Sequence, residues 1–75
     1  MRIVDDKNLT PREKEIILLI LSGKNKREIA ENLFLSISTI KTNVENIYKK
    51  FNVHNKAEFI IYLWKNDIVD IDENE

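Results

Sequence analysis

Several residue types are scarce or absent in this 75-residue chain, and each absence excludes a class of function. There is no cysteine, which excludes disulfides and thiolate metal sites, and the only histidine, His54, cannot form a metal site or a catalytic triad by itself. One glycine and one proline exclude a glycine-rich phosphate loop and a low-complexity linker. We therefore expect no metal, no cofactor and no small-molecule substrate.

Long apolar runs are absent as well. The longest continuous run, Ile16 to Leu21, is far too short to span a membrane, and no secretory signal opens the sequence. These features predict a cytoplasmic protein with no membrane partner. The length predicts one small domain over residues 1–75, with a core of about 8–66.

Charge is nearly balanced but unevenly placed. The chain has 12 basic and 13 acidic residues, a net charge of −1. Acidic residues crowd residues 67–75, which we interpret as an acidic C-terminal tail, whereas between Lys24 and Lys56 basic residues outnumber acidic ones. Local potential governs attraction to phosphate more than total charge does, so the middle of the chain is a candidate nucleic-acid surface. For any single lysine, an ordinary solvated charge is the simpler interpretation.

Capping residues and apolar spacing predict four helices and no strand alternation. Polar residues that can cap a helix start open the four segments: Thr10, Asn25, Ser36 and Asn55. Gly23 is expected to end the first helix and Asn52 the third, because both tolerate a left-handed backbone. The fourth helix should run to about Lys65. The predicted fold class is all-α, a four-helix bundle that contains a helix-turn-helix.

The third predicted helix has an apolar stripe and a polar outer face. Its apolar residues recur at steps of three and four, which predicts burial along one side: Ile37, Ile40, Val44, Ile47 and Phe51. The inward residues predicted for the two preceding helices are Ile16, Ile17, Leu19, Ile20, Ile29, Ala30 and Leu33. A polar outer face is usually just a solvated surface. Here, however, short hydroxyls and amides at the front of the helix allow close approach to phosphates and base edges.

Spaced positions from about residue 8 to 66 form one pattern, which includes Leu9-Thr10-Pro11-Arg12-Glu13, Gly23, Glu28-Ile29-Ala30, Leu33, Ser36, Thr39-Ile40-Lys41, Val44, Ile47-Tyr48, Lys50-Phe51 and Val53. In this pattern the chain resembles the LuxR-type helix-turn-helix family of bacterial regulators. The resemblance implies a transcription-factor domain whose third helix reads the major groove of double-stranded DNA and whose fourth helix pairs two subunits. RNA polymerase is a further candidate partner.

The resemblance also implies roles for individual residues. Base reading is expected from Ser38, Lys41, Thr42 and Glu45. Phosphate contacts are expected from Lys26, Ser36, Thr39, Asn46, Lys49, Lys50 and Lys56. Glu45 stands where the family often has a basic residue; an acid there can accept from cytosine but repels phosphate. Lys56 stands where arginine is common in the family. A lysine cannot form the bidentate hydrogen bonds that arginine forms with phosphate or a carboxylate.

The fourth helix has more apolar residues than one buried stripe needs. Its core side is expected to be formed by Phe59, Ile60, Leu63 and Trp64. Ile61 and Tyr62 are then expected on the opposite side, with Glu58 and Lys65 as a polar rim. We interpret this outer side as a homodimer interface, so that the dimer would read an inverted-repeat site.

Two functions from different classes remain open at this point. The first is a sequence-specific transcription regulator, either stand-alone or the output domain of a response regulator, acting on the nucleoid. The alternative is a helix-turn-helix protein-interaction module without significant DNA binding, which a net charge near zero and Glu45 favour. An enzyme is not expected, because His54 lies in a predicted turn with no nucleophile fixed beside it.

Overall fold

Four helices form the fold, as the capping pattern predicts. The computed structural model describes residues 2–3, 8–66 and 69–70. The helices are α1 (Pro11–Leu21), α2 (Lys26–Leu33), α3 (Ile37–Phe51) and α4 (Lys56–Lys65). Two-residue strands, β1 (Arg2–Ile3) and β2 (Val69–Asp70), pair antiparallel. Two residues are too few to produce an alternating pattern in the sequence, and they leave the all-α class unchanged.

Each helix begins at the predicted cap. The side chains of Thr10, Asn25, Ser36 and Asn55 accept the backbone N–H three residues further on. In α1 and α2 a glutamate returns the bond to the cap residue, which completes a capping box. In α4 the box is not completed, because the Glu58 carboxylate accepts from the backbone N–H of His54 at 3.0 Å instead.

Three helices end at a residue with a left-handed backbone. Gly23 (φ 90°) follows α1, and Asn52 (φ 55°) follows α3, as predicted. The residue that follows α2 is Phe34 (φ 56°), where the sequence gives no such signal. After each of these residues, the backbone N–H of the next residue donates a hydrogen bond to a carbonyl in the last turn of the helix. For example, the N–H of Leu35 donates to the carbonyl of Ala30 at 3.0 Å. This geometry makes the turn between α2 and α3 short.

The core lies between all four helices, and among the described residues Glu13 is its one buried polar residue. Most of the predicted inward positions are buried or half-buried, and the four buried residues of α3 are Ile40, Val44, Ile47 and Phe51. Ile37 is an exception, with 47% of its surface exposed, because it is the first residue of α3 and lies at the edge of the stripe. Trp64 is also wrongly predicted: it is 43% exposed. At about 100° per residue it lies roughly 120° from the buried side of α4.

An aromatic cluster joins α3 to α4. The ring of Phe59, which is fully buried, lies 5.2 Å from the rings of both Tyr48 and Phe51. Tyr62 stacks edge-on against Phe51 at 5.5 Å. Tyr62 is therefore half-buried, and the prediction that it lies on the outer side of α4 is wrong, because its ring reaches back over the end of α3.

None of the helices in the described residues could span a lipid bilayer. Of the predicted acidic tail at residues 67–75, only Val69 and Asp70 are described, and the remaining residues of that tail lie outside the described residues.

Phe34 provides a test of backbone strain in the turn. Its side chain is 94% exposed, so it contributes almost no packing, while a left-handed backbone costs a non-glycine residue free energy. We expect Phe34→Gly to raise the free energy of unfolding by about 1 kcal/mol in a urea titration. The control is Phe34→Ala, which keeps the left-handed cost and should match the wild type. A glycine variant that is less stable than the alanine variant would contradict this account.

Candidate nucleic-acid interface

Three hydroxyl groups cluster at the start of α3. The Ser36 Oγ accepts from the backbone N–H of Thr39 at 3.1 Å and donates to the Thr39 Oγ1 at 2.8 Å. The Ser38 Oγ lies 3.1 Å from the Ser36 Oγ. All three side chains are exposed, so they are fixed in place by one another while they remain open to solvent. The helix N-terminus adds partial positive charge, which suits this end of α3 to phosphate contact.

An exposed polar face follows along α3. All residues predicted to read bases are exposed, namely Ser38, Lys41, Thr42 and Glu45, and Lys49 continues the same face. No carboxylate of the described residues lies within ion-pair distance of Lys41 or Lys49. The Thr42 hydroxyl donates back to the carbonyl of Ser38 at 3.1 Å, which leaves its methyl group for apolar contact such as that with a thymine methyl.

A cleft of about 410 Å³ opens beside this face, between the N-termini of α2 and α4. Its floor is formed by Ile20, Ile29 and Val44, and Tyr48 lines one wall. Lys41 and Tyr48 are seven residues apart, close to two helical turns, so the cleft lies on the side of α3 that bears Lys41. The cleft and the exposed face of α3 thus form one continuous surface.

Three lysines from two separate parts of the sequence meet at this cleft: Lys24 and Lys26 around the start of α2, and Lys56 at the start of α4. None of them forms an ion pair with a described residue. The cap residues Asn25 and Asn55 also line it, so two helix N-termini face the same space. Uncompensated ammonium groups and helix N-termini both attract anions. The predicted phosphate contacts Lys26 and Lys56 are therefore brought together, with Lys24 as a member that the sequence pattern did not single out.

Lys50 lies on the other side of α3 and has partners inside the protein. Its Nζ contacts the Glu13 Oε1 at 2.6 Å and the backbone carbonyl of Asn8 at 3.2 Å. The same Glu13 oxygen accepts the backbone N–H of Thr10 at 2.9 Å. Lys50 was predicted to contact phosphate; in the free protein it instead connects α3 to the start of α1. A contact between Lys50 and DNA phosphate stays a prediction.

Two pKa values respond to these surroundings. Burial alone raises the pKa of Glu13, but hydrogen bonds from Lys50 and Thr10, together with the charge of Lys50, outweigh it and hold the pKa below the ordinary 4.5. Burial raises the pKa of the Tyr48 phenol above its ordinary value.

His54 is an exposed turn residue, as expected. Its imidazole is 84% exposed, and its Nδ1 lies 3.3 Å from the Glu58 carboxylate. His54 lines the cleft. Among the described residues its hydrogen-bond partner is Glu58, and no serine or threonine hydroxyl that could act as a nucleophile bonds to it. Within the described residues no cluster of histidine, cysteine and carboxylate side chains could hold a metal ion.

The outer side of α4 exposes apolar surface. Ile61 is 63% exposed and Trp64 43%, and the two are three residues apart, so they are neighbours on the helix. Glu58 and Lys65 are exposed on the same side. Of the predicted dimer residues, Ile61, Glu58 and Lys65 thus share an outer face, while Tyr62 packs inward and Trp64 takes its place.

Comparison with known proteins identifies the family. Residues 7–63 match the family described as bacterial regulatory proteins, luxR family. The chain belongs to this family. It is 42% identical over 62 residues to the transcriptional regulatory protein LiaR of Bacillus subtilis (strain 168), which covers 83% of this chain and 29% of LiaR. It is 39% identical over 61 residues to the response regulator protein VraR of Staphylococcus aureus (strain COL) and of Staphylococcus epidermidis, covering 81% of this chain and 29% of each relative.

Membership of the luxR family agrees with the resemblance drawn from the sequence, and it covers all four helices almost to the end of α4. The chain spans less than a third of the length of these curated relatives. The family is one of regulatory proteins rather than a class of enzyme. Sequence reasoning did not single out Lys24 as lining the cleft or Trp64 as exposed on α4, because both placements depend on which helices meet around these residues.

The lowered pKa of Glu13 leads to a prediction about acid stability. A carboxyl whose pKa is lower in the folded state stabilises the fold above its unfolded pKa, and this contribution is lost as the pH falls through the folded value. The free energy of unfolding should therefore decrease as the pH falls from the ordinary value of 4.5. In Glu13→Gln this decrease should be smaller, measured by urea titration at several pH values. The control is Glu31→Gln, at an exposed carboxylate of α2, which should keep the wild-type slope; equal slopes for all three would contradict the prediction.

Proposed function

We propose that this chain binds double-stranded DNA and regulates transcription, with α3 lying in the major groove. The single observation that best supports this is the continuous surface formed by the exposed face of α3 and the basic cleft. Ser38, Lys41, Thr42 and Glu45 read base edges from this face. Membership of a regulatory family and the similarity to LiaR and VraR support the same proposal. A DNA-binding regulator of this kind acts in the cytoplasm, on the nucleoid.

The phosphate backbone is held on both sides of the groove. The ammonium groups of Lys24, Lys26 and Lys56 bind it at the cleft, because none of them forms an ion pair with a carboxylate of the described residues. Ser36 and Thr39 bind it at the start of α3, and Asn46 and Lys49 continue along the helix. Such contacts fix the position of the domain on the duplex without selecting a sequence. The acidic balance of the whole chain does not prevent this, because most of the charges that face DNA are basic and Glu45 is the acidic exception.

We also propose that α4 pairs two copies of the domain on DNA. Ile61 and Trp64 supply the apolar centre of this interface, and Glu58 and Lys65 supply its polar rim. Tyr62 supports the helix from within by stacking on Phe51. A two-fold dimer would read an inverted repeat whose half-sites lie about 10 base pairs apart. RNA polymerase stays a candidate partner.

The proposed function is tested by selection of bound sites from a random DNA pool, followed by a salt titration on the selected site. Binding that uses phosphate contacts must weaken as salt rises, with a slope of about −0.9 per neutralised phosphate on a logarithmic plot. Failure to select any sequence, or affinity that ignores salt, would overturn DNA binding and leave the protein-interaction module as the function.

Lys41 and Thr42 are predicted to be the main base contacts. Lys41→Ala and Thr42→Ala should each weaken binding to the selected site by about 1–3 kcal/mol, because each good base contact discriminates by that amount. Circular dichroism should show unchanged helix content. Lys14→Ala, at a lysine of α1, is the matched control and should bind as the wild type does. If the double alanine variant binds the selected site with wild-type affinity, α3 is not the reading helix.

Ile61 is predicted to be essential for pairing. Ile61→Asp places a charge at the centre of the apolar face, which should abolish cooperative occupancy of a two-half-site duplex. Because Ile61 is 63% exposed, the isolated domain should stay folded. A duplex with a single half-site is the control, and wild type and variant should bind it equally in a gel-shift titration. Cooperative binding by the variant would locate the interface elsewhere.

A further inference from the structure

We infer that Glu13 is a positioning residue for DNA reading: it holds the Lys50 ammonium inside the protein, so that Lys50 fixes the recognition helix instead of binding phosphate. This inference rests on the proposed DNA binding. It assigns Glu13 a role in the site, and it gives Lys50 a role that differs from the phosphate contact implied by the resemblance.

The Glu13 carboxylate joins two structural elements through one oxygen. Its Oε1 accepts both the backbone N–H of Thr10, which caps α1, and the Nζ of Lys50, which lies in the last turn of α3. Only 8% of the Glu13 side chain is exposed, against 32% of the Lys50 side chain. A buried carboxylate without a counter-charge is costly, so Lys50 is held strongly at this position.

The direction of Lys50 separates it from the reading face. Lys41 and Lys50 are nine residues apart, which at about 100° per residue places them on opposite sides of α3. The cleft with its uncompensated lysines lies on the Lys41 side. The Nζ of Lys50 also donates to the backbone carbonyl of Asn8, so two of its three N–H groups have partners in the protein.

The consequence is a fixed angle between α3 and α1. The apolar stripe holds α3 along its length, and this ion pair adds a polar link between the last turn of α3 and the start of α1. If the link is lost, the helix can shift in the groove, and base contacts suffer more than phosphate contacts because they require closer geometry. Sequence discrimination should therefore decrease more than general affinity for DNA.

The experiment measures the affinity of the intact chain for two duplexes, the selected site and a scrambled duplex of equal length, over a range of salt concentrations. The variants are Lys50→Gln, Glu13→Gln, the double variant and Lys50→Arg. Glutamine at residue 13 can still complete the capping box, so it removes the ion pair and keeps the cap. Thr10→Ala is the matched control for stability, because it removes the side-chain cap and keeps the ion pair. Lys26→Gln is the control for loss of a true phosphate contact.

We expect Lys50→Gln to keep the wild-type salt slope, whereas Lys26→Gln should make the slope shallower by about one unit. Lys50→Gln and Glu13→Gln should each lower discrimination between the two duplexes about tenfold, and the double variant should lose no more than either single one, since both remove one interaction. Lys50→Arg should keep most of the discrimination, and Thr10→Ala should discriminate as the wild type does.

Three results would overturn the inference. A salt slope that becomes shallower in Lys50→Gln as it does in Lys26→Gln would make Lys50 a phosphate contact. Wild-type discrimination in Glu13→Gln would remove the positioning role. A wild-type chain that binds neither duplex would overturn the proposed function along with the inference, and this outcome differs from the first two because they require DNA binding by the wild type.

Discussion

Burial of the apolar stripe of α3 is the constraint on which the rest of the structure depends. Ile40, Ile47 and Phe51 are at most 2% exposed, and α1, α2 and α4 all take their places around them. Burying each such side chain contributes roughly 1.5–3 kcal/mol, so rotation of α3 about its own axis would be strongly unfavourable. Because the stripe fixes that rotation, it also decides which residues face outward. The exposed face that we propose to read DNA is therefore a consequence of the core.

Electrostatics then divides the basic residues of the domain into two groups. Lys50 is neutralised by Glu13 at 2.6 Å and belongs to the framework of the fold. No ion pair with a described residue is formed by Lys24, Lys26, Lys41 or Lys56, so their ammonium groups are available to an anion from outside the domain. A net charge of −1 is therefore compatible with a basic surface, since the total says nothing about which charges are paired.

Sequence reasoning predicted the parts of the fold that local chemistry controls. The four N-caps, the left-handed ends at Gly23 and Asn52 and the buried residues of α3 all follow from short-range rules, and they are confirmed. The errors occur where the outcome depends on another helix. Tyr62 packs on Phe51 and Trp64 is exposed, because the direction from which α3 approaches α4 cannot be read from α4 alone. The cleft was missed for the same reason.

At the turn between α2 and α3, tertiary packing overrides the backbone preference of a single residue. Phe34 is a poor choice for a left-handed backbone, and with 94% of its surface exposed its side chain gains little from packing. The conformation persists because the residues on both sides of it are fixed: Leu35 bonds back to Ala30 and packs against the core, and Ser36 must cap α3. The core sets the position of both helices, and a left-handed backbone at Phe34 connects them through a short turn. The strain at Phe34 thus arises from the same packing that holds α3 in place.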